Sequence, residues 1–235
     1  MIDLAKLGNN YPTVEEAVRG LLGDVAAILE RVGEPYVVIG GWSPVLLAHG
    51  DVRHPGTRDV DLLFNGGDAR LQLDGVFRRF LERDYLPSAK HPFQLIRVLQ
   101  VSGQPMAFNV DLLHPRHDES DAPIDELFVE QLDLGVPLTD FLKDQYFMKS
   151  IVTPDIAFVF EDQRWAEVEF SSRLPDGSDG SGVVRVIDEL ALVVSKARSV
   201  TSVKRERDAF DIALSVAQAR DPEALRAAAR DLEDR

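Results

Sequence analysis

The chain has 235 residues, 45% hydrophobic and 28% charged, enough apolar material for one core domain with a small appendage. It has no cysteine, which excludes disulfides and thiolate metal sites and fits a reducing compartment, so a cytoplasmic location is expected. The formal charge of −14 argues against a broad nucleic-acid-binding surface, and no apolar run is long enough for a membrane span or reads as a leader.

Residues 1–12 read as an irregular lead-in. Thr13 and Glu16 form a capping box, and Val14, Val18, Leu21, Val25, Ile28 and Val32 recur at spacings of three and four. The pattern predicts a scaffold helix over 14–32, closed by Gly33 and Pro35. Tyr36 to Ile39 is a β-rich run ended by Gly40 and Gly41, with Pro44 suited to the first turn of a helix starting near Ser43. Thr57 leads into a strand, Arg58-Asp59-Val60-Asp61-Leu62-Leu63-Phe64. Alternation puts Asp59 and Asp61 on one face, Val60 and Leu62 on the other, and Arg58 opposite Asp59 as a structural residue. A turn at 65–68 and a helix from Leu71 to Leu81 follow, ending before Pro87.

Gln94 to Val101 and Met106 to Leu113 read as a hairpin split by Ser102-Gly103-Gln104-Pro105. In its second strand Phe108, Val110 and Leu112 share one face and Asn109, Asp111 and Leu113 the other. Short helices are expected at 125–132 and 140–150, and strands at 156–160 and 165–170. The Gly/Ser/Asp-rich stretch 175–182 reads as a linker, with a mobile lip over a pocket as the alternative. Val183 to Ile187 is a strand, Asp188 caps a helix, and a further helix over 203–219 is expected to bury Phe210, Ile212, Ala213 and Val216. Asp221-Pro222 starts the last helix. The chain divides into a core (1–113), an extension with extra strands (114–187) and a helical C-terminal region (188–235).

Two carboxylates on one strand face repel unless a cation or proton sits between them. Oxygen ligands so placed suit Mg²⁺, which takes one or two carboxylates plus substrate phosphates. The paired glycines next to a helix N-terminus can present N–H groups to a phosphate. Together they read as a metal–triphosphate site; the alternative is two solvated aspartates beside an ordinary glycine turn. Residues 196–208 concentrate positive charge, as a solvated helix end or as a cationic wall facing the acids. Arg53 and His54 are candidate phosphate contacts, and the five histidines show no metal-ligand spacing.

The arrangement Ile39-Gly40-Gly41-Trp42-Ser43, then Asp59-Val60-Asp61, then Asn109-Val110-Asp111-Leu112 resembles the nucleotidyltransferase superfamily with the DNA polymerase β-like fold. Asp188 to Arg198 followed by Arg207-Asp208-Ala209-Phe210-Asp211 is similar to the C-terminal signature of AbiEii-type nucleotidyltransferases, a group that includes toxins of type IV toxin–antitoxin systems. The resemblance implies an α/β (α+β) fold with a mixed sheet flanked by helices and a helical C-terminal region. It implies transfer of an NMP from an NTP, with Mg²⁺ (or Mn²⁺) on Asp59, Asp61 and Asp111. Gly40, Gly41, Ser43, Arg53 and Lys196 would hold the nucleotide; Lys196 and Asp208 would join the acids in catalysis, and Asp211 would complete the pattern or brace the helices. The implied acceptors are tRNA or other RNA, protein or a small molecule, with a cognate antitoxin as a candidate partner and no membrane. A non-catalytic nucleotide- or partner-binding module, or a metal-dependent phosphohydrolase, uses the same residues.

Overall fold

The computed structural model describes residues 8–32, 35–47, 50–52, 54–65, 73–88, 90–116, 124–125, 150–200 and 206–233. The strands are β1 (Asn10–Tyr11), β2 (Tyr36–Ile39), β3 (Asp59–Phe64), β4 (Leu86–Pro87), β5 (Gln94–Val101), β6 (Gln104–Pro115), β7 (Ile124–Asp125), β8 (Ser150–Thr153), β9 (Trp165–Arg173) and β10 (Asp179–Ile187). The helices are α1 (Val14–Val32), α2 (Trp42–Leu47), α3 (Leu73–Glu82), α4 (Phe158–Glu161), α5 (Glu189–Ser199), α6 (Glu206–Ala217) and α7 (Pro222–Glu233). The described strands make one mixed sheet in the order β1-β5-β6-β3-β2-β10-β9, with β4 on β5, β8 on β6 and β7 on β8. β3 runs parallel to β6, β2 runs parallel to β10, and the β2–β3, β5–β6 and β9–β10 pairs are antiparallel.

Side-chain alternation gives the central strands two different faces. Val38, Val60, Leu62, Phe64, Val110 and Leu112 are buried on one side in the cluster that holds Leu21, Leu22, Val25 and Leu29 of α1. The amphipathic spacing of α1 therefore has its partner, and Thr13 Oγ1 accepts from Glu16 N–H at its start as the capping box requires. On the other side Val37, Ile39 and Leu63 pack with Leu190, Ala191 and Leu192 of α5. Asp59, Asp61 and Asp111 belong to this second face by parity, so the acids and α5 share one side of the sheet.

The structure corrects several expectations. Residues Asn10 and Tyr11 are not irregular: they pair with Gln100 and Val101, and Tyr11 is 1% exposed. The stretch 156–160 is not a strand. Ile156 and Val159, both fully buried, lie three apart on one side of a tight helical turn, with Val159 N–H donating to Ile156 O. Pro175 to Ser178 is the end of a hairpin, not a linker, because β9 and β10 stay paired from Arg173↔Asp179 to Trp165↔Ile187. Ser150 opens a strand beside β6, and Asp125 lies in one; the rest of the helices expected over 125–132 and 140–150, like 66–72, lies outside the described residues. In α6 the buried residues are Asp208, Asp211, Leu214 and Ser215, while Phe210 and Val216 are exposed. The reason is electrostatic and appears at the site. No described helix is long and apolar enough to cross a membrane.

Candidate functional site

The register of β3 on β6 sets Asp61 directly beside Asp111 and Asp59 beside Asn109. Each carboxylate has a neighbour that orients it. Asp59 Oδ1 accepts from Thr57 Oγ1 at 2.5 Å, and its carbonyl accepts from Trp42 Nε1 at 3.0 Å. Asp111 Oδ1 accepts from Gln94 Nε2 at 2.8 Å; Gln94 is its cross-strand partner on β5. Asp61 lies against the glycine turn: Gly40 has φ +73°, and a Cβ there would stand 2.1 Å from Asp61 Oδ2. Gly40 is thus required twice, for its left-handed backbone and for room for a carboxylate.

Burial pushes the Asp61 carboxyl well above the usual carboxylate range, and the charges of Asp59 and Asp111 push it further, against the pull of Lys196 and Arg207. Asp111 is raised by burial and by Asp59, against its hydrogen bond from Gln94 and the charge of His91. The three acids therefore form a strained anionic group. Among the described residues no three His, Asp or Glu side chains are already arranged to hold a metal ion. The donors nonetheless suit a divalent cation: all are carboxylate oxygens, their mutual repulsion calls for positive charge, and Mg²⁺ fills most of its shell with water and phosphate.

The C-terminal helices bring a second cluster to the same face. Asp188 caps α5 by accepting from Ala191 N–H at 2.9 Å, as the sequence predicts. Two turns on, Lys196 Nζ meets Asp208 Oδ1 at 2.8 Å and Asp211 Oδ2 at 2.6 Å. Asp208 Oδ2 accepts from Ser199 Oγ at 2.7 Å. Asp211 Oδ1 meets His54 Nε2 at 2.7 Å. Gly56 N–H donates to His54 Nδ1 at 3.0 Å, which assigns the ring proton to Nε2 and makes His54 a neutral donor to Asp211. Burial works to raise the Asp211 pKa, but the hydrogen bonds from His54 and Lys196 outweigh it and hold the carboxyl below its ordinary value. This network turns the acidic side of α6 inward, at the expense of Phe210 and Val216. It also ties α6 to the loop before β3: Arg207 Nη2 donates to Gly56 O, and Gln218 bridges Gly50 N–H and Val52 O at 3.2 Å each.

The structure places the other sequence candidates as follows. Ser43 is 1% exposed and its hydroxyl donates to Ile187 O at 2.8 Å, so its side chain braces α2 to β10 and is not presented to a phosphate. A Cβ on Gly41 would lie 3.0 Å from Thr57 Cβ and 3.1 Å from Arg207 Nη2, so this glycine admits the loop and the guanidinium. Both nitrogens of His54 are engaged, which removes it as a phosphate contact. Arg53 lies outside the described residues. His114 Nδ1 meets Ser150 Oγ at 2.6 Å in a buried pair. Arg58 stands one residue ahead of β3; it is exposed and lines the same cleft as Asp59.

That cleft, of about 460 Å³, lies between the start of α1, α2 and residues 54–59, with Arg207 closing it. Sequence reasoning missed it, and it missed Gln94 and Thr57 as supports of the acids. Two signals were available. A hydroxyl two residues before an aspartate is placed to donate to it. A hairpin with a two-residue turn at Ser102-Gly103 sets residue 94 opposite 111.

No protein-family model matches the chain, and no curated protein matches it. Solved structures with a similar chain path include the antibiotic-resistance factor ANT(2'')-Ia in solution, at 15% identity over 94% of this chain and 95% of that one with a TM-score of 0.42. Another is the lincosamide antibiotic adenylyltransferase LnuA with lincomycin bound, at 14% identity over 88% and 97% with a TM-score of 0.38. A third is an antigenic nucleotidyltransferase-like protein from Paracoccidioides brasiliensis, at 12% identity over 97% and 91% with a TM-score of 0.40. At such identities and scores these likenesses decide neither reaction nor substrate.

Proposed function

We propose that this chain is an enzyme, a metal-dependent nucleotidyltransferase with the DNA polymerase β-like fold, that moves an NMP from an NTP to an acceptor hydroxyl. The observation that carries the reading is the register of Asp61 on Asp111, with Asp59 two residues away on the same face and the Asp61 carboxyl raised by burial and then by its two acidic neighbours. Three carboxylates are not gathered at such an electrostatic cost for packing alone. Asp59, Asp61 and Asp111 are the residues that would hold Mg²⁺ or Mn²⁺, whose chemistry here is to neutralise the triphosphate and to lower the pKa of a bound hydroxyl.

The chain's own groups supply the rest. The acceptor oxygen attacks the α-phosphorus; that O–P bond forms as the bond to the β-phosphate bridging oxygen breaks, and pyrophosphate leaves with the electron pair. Asp111, with Oδ1 fixed by Gln94, is suited to take the acceptor's proton at Oδ2. Asp59 is aimed by Thr57. The turn at Gly40 and Gly41 offers backbone N–H groups to phosphate oxygens. Arg207, whose charge Asp61 feels, offsets charge as the phosphates separate. Asp208 and Asp211 act as positioning residues that hold Lys196 in place.

The pairing of Lys196 with Asp208 and Asp211 supports an AbiEii-type reading, and with it a cytoplasmic toxin neutralised by a cognate antitoxin. On that reading the acceptor is a tRNA end, a protein or a small molecule. The test is incubation with Mg²⁺ and each α-labelled NTP in the presence of total tRNA, protein and small-molecule pools. Transfer of label with stoichiometric pyrophosphate, lost in Asp59→Ala/Asp61→Ala, is the expected result. Phosphate release without acceptor labelling would make it a phosphohydrolase, and neither product would leave a nucleotide-binding module.

A further inference from the structure

We infer that the cleft beside Asp59 is the acceptor subsite and that it selects a small hydroxyl compound carrying an oxyanion, a phosphate monoester or a carboxylate. The inference rests on the nucleotidyltransferase reading and adds a substrate class to it. Three guanidinium-bearing residues, Arg19, Arg58 and Arg207, line the cleft, against the two carboxylates of Glu15 and Asp59. Thr57 orients the Asp59 carboxylate without discharging it, so the arginines exceed the carboxylates of the lining by one. Arg19 lies over the Phe170 ring at 5.0 Å, which orients it without neutralising it. Arg207 donates to a neutral carbonyl, that of Gly56. Arg58 is exposed and has no carboxylate partner among the described residues. In a chain of net charge −14, unneutralised arginines gathered in one concavity stand out. Guanidinium forks bind phosphate and carboxylate in two-point fashion, and a polycation would meet like charge here. A cleft of about 460 Å³ suits a molecule of sugar-phosphate size, within the range of small-ligand pockets. Asp59 forms part of its wall, so a ligand anchored on Arg58 lies beside the first of the acids.

The experiment has a binding arm and a transfer arm, both on the full chain. In EDTA, ribose 5-phosphate and citrate are titrated by calorimetry, with kanamycin as the polycation. The anions are expected to bind, and Arg58→Glu to weaken them by about tenfold or more, the worth of one charge-assisted contact; Arg58→Lys should recover part of the loss. With Mg²⁺ and labelled NTPs, transfer to panels of sugar phosphates and of hydroxy acids shows which oxyanion is read. Arg58→Gln is expected to raise the acceptor KM about tenfold while kcat changes little. Transfer to kanamycin or to tRNA alone, or an acceptor KM indifferent to Arg58→Gln, would overturn the inference and leave nucleotidyl transfer standing. Oxyanion binding lost in Arg58→Glu, with no transfer to any compound, would sink the enzymatic reading and the acceptor role with it, while the oxyanion site itself would stand.

Discussion

Gly40→Ala puts the acid site under a defined mechanical load. The backbone there is left-handed, with φ +73°, and an L-residue in that region costs about 1–2 kcal/mol. The added Cβ would also stand 2.1 Å from Asp61 Oδ2, so the carboxylate must leave its rotamer or the turn must shift. An off-rotamer side chain adds about 0.5–1.5 kcal/mol. Gly103→Ala separates the two costs: its φ is +77° and its Cβ would meet nothing within 4 Å. Urea denaturation should give about 1–2 kcal/mol lost for Gly103→Ala and about 1 kcal/mol more for Gly40→Ala. Adding Asp61→Ala to Gly40→Ala removes the clash, so the double variant should be more stable than the two single losses predict. Transfer activity should fall about 100-fold in Gly40→Ala, the cost of misplacing a reacting group by about 1 Å, and stay unchanged in Gly103→Ala. If both glycines give equal stability losses and Gly40→Ala keeps its activity, the Asp61 carboxylate does not lie against the turn.

Lys196→Met leaves Asp208 and Asp211 buried without their cation and should cost about 3–5 kcal/mol at neutral pH in urea unfolding, less in acid where the orphaned carboxyls protonate. In EDTA, the raised pKa of Asp61 means the folded chain binds that proton more tightly than the unfolded one. Its contribution is therefore most favourable below the ordinary carboxylate pKa and declines as pH rises toward the elevated folded value. Asp61→Asn should remove that decline and melt above wild type at pH 7. Mg²⁺ at ten times its Kd should stabilise wild type by about 1.4 kcal/mol and Asp61→Asn much less, read as a thermal shift. His54→Ala should cost about 1–3 kcal/mol and speed amide exchange at Gly56, whose N–H loses its acceptor.

Local signals carried the sheet and helix α1 well. Apolar spacing fixed α1, and alternation assigned Asp59, Asp61 and Asp111 to one face because successive strand side chains point to opposite sides of the sheet. What the sequence hid depends on contacts distant along the chain. The meeting of His54 with Asp211 spans 157 residues, and no pattern of three or four announces it. Periodicity assigned the wrong side of α6, since two buried ion pairs outweighed Phe210 and Val216 in choosing which side turns inward. Ser43 has the identity of a phosphate binder, yet the parallel pairing of β10 with β2 brings Ile187 O within its reach.

The charge balance also decides which group faces the phosphates as a free cation. Lys196 is shared by two carboxylates while His54 is a neutral donor, so that cluster carries a net −1 and is no cationic wall by itself. Uncompensated positive charge felt by Asp61 comes instead from Arg207 on α6. Lys196 is then better understood as the keystone that seats α6, and through it Arg207, against the loop from Gly50 to Gly56. On this view the chain invests two buried aspartates to fix one arginine. Replacing that arginine should cost activity with little loss of stability, whereas replacing Lys196 should cost both.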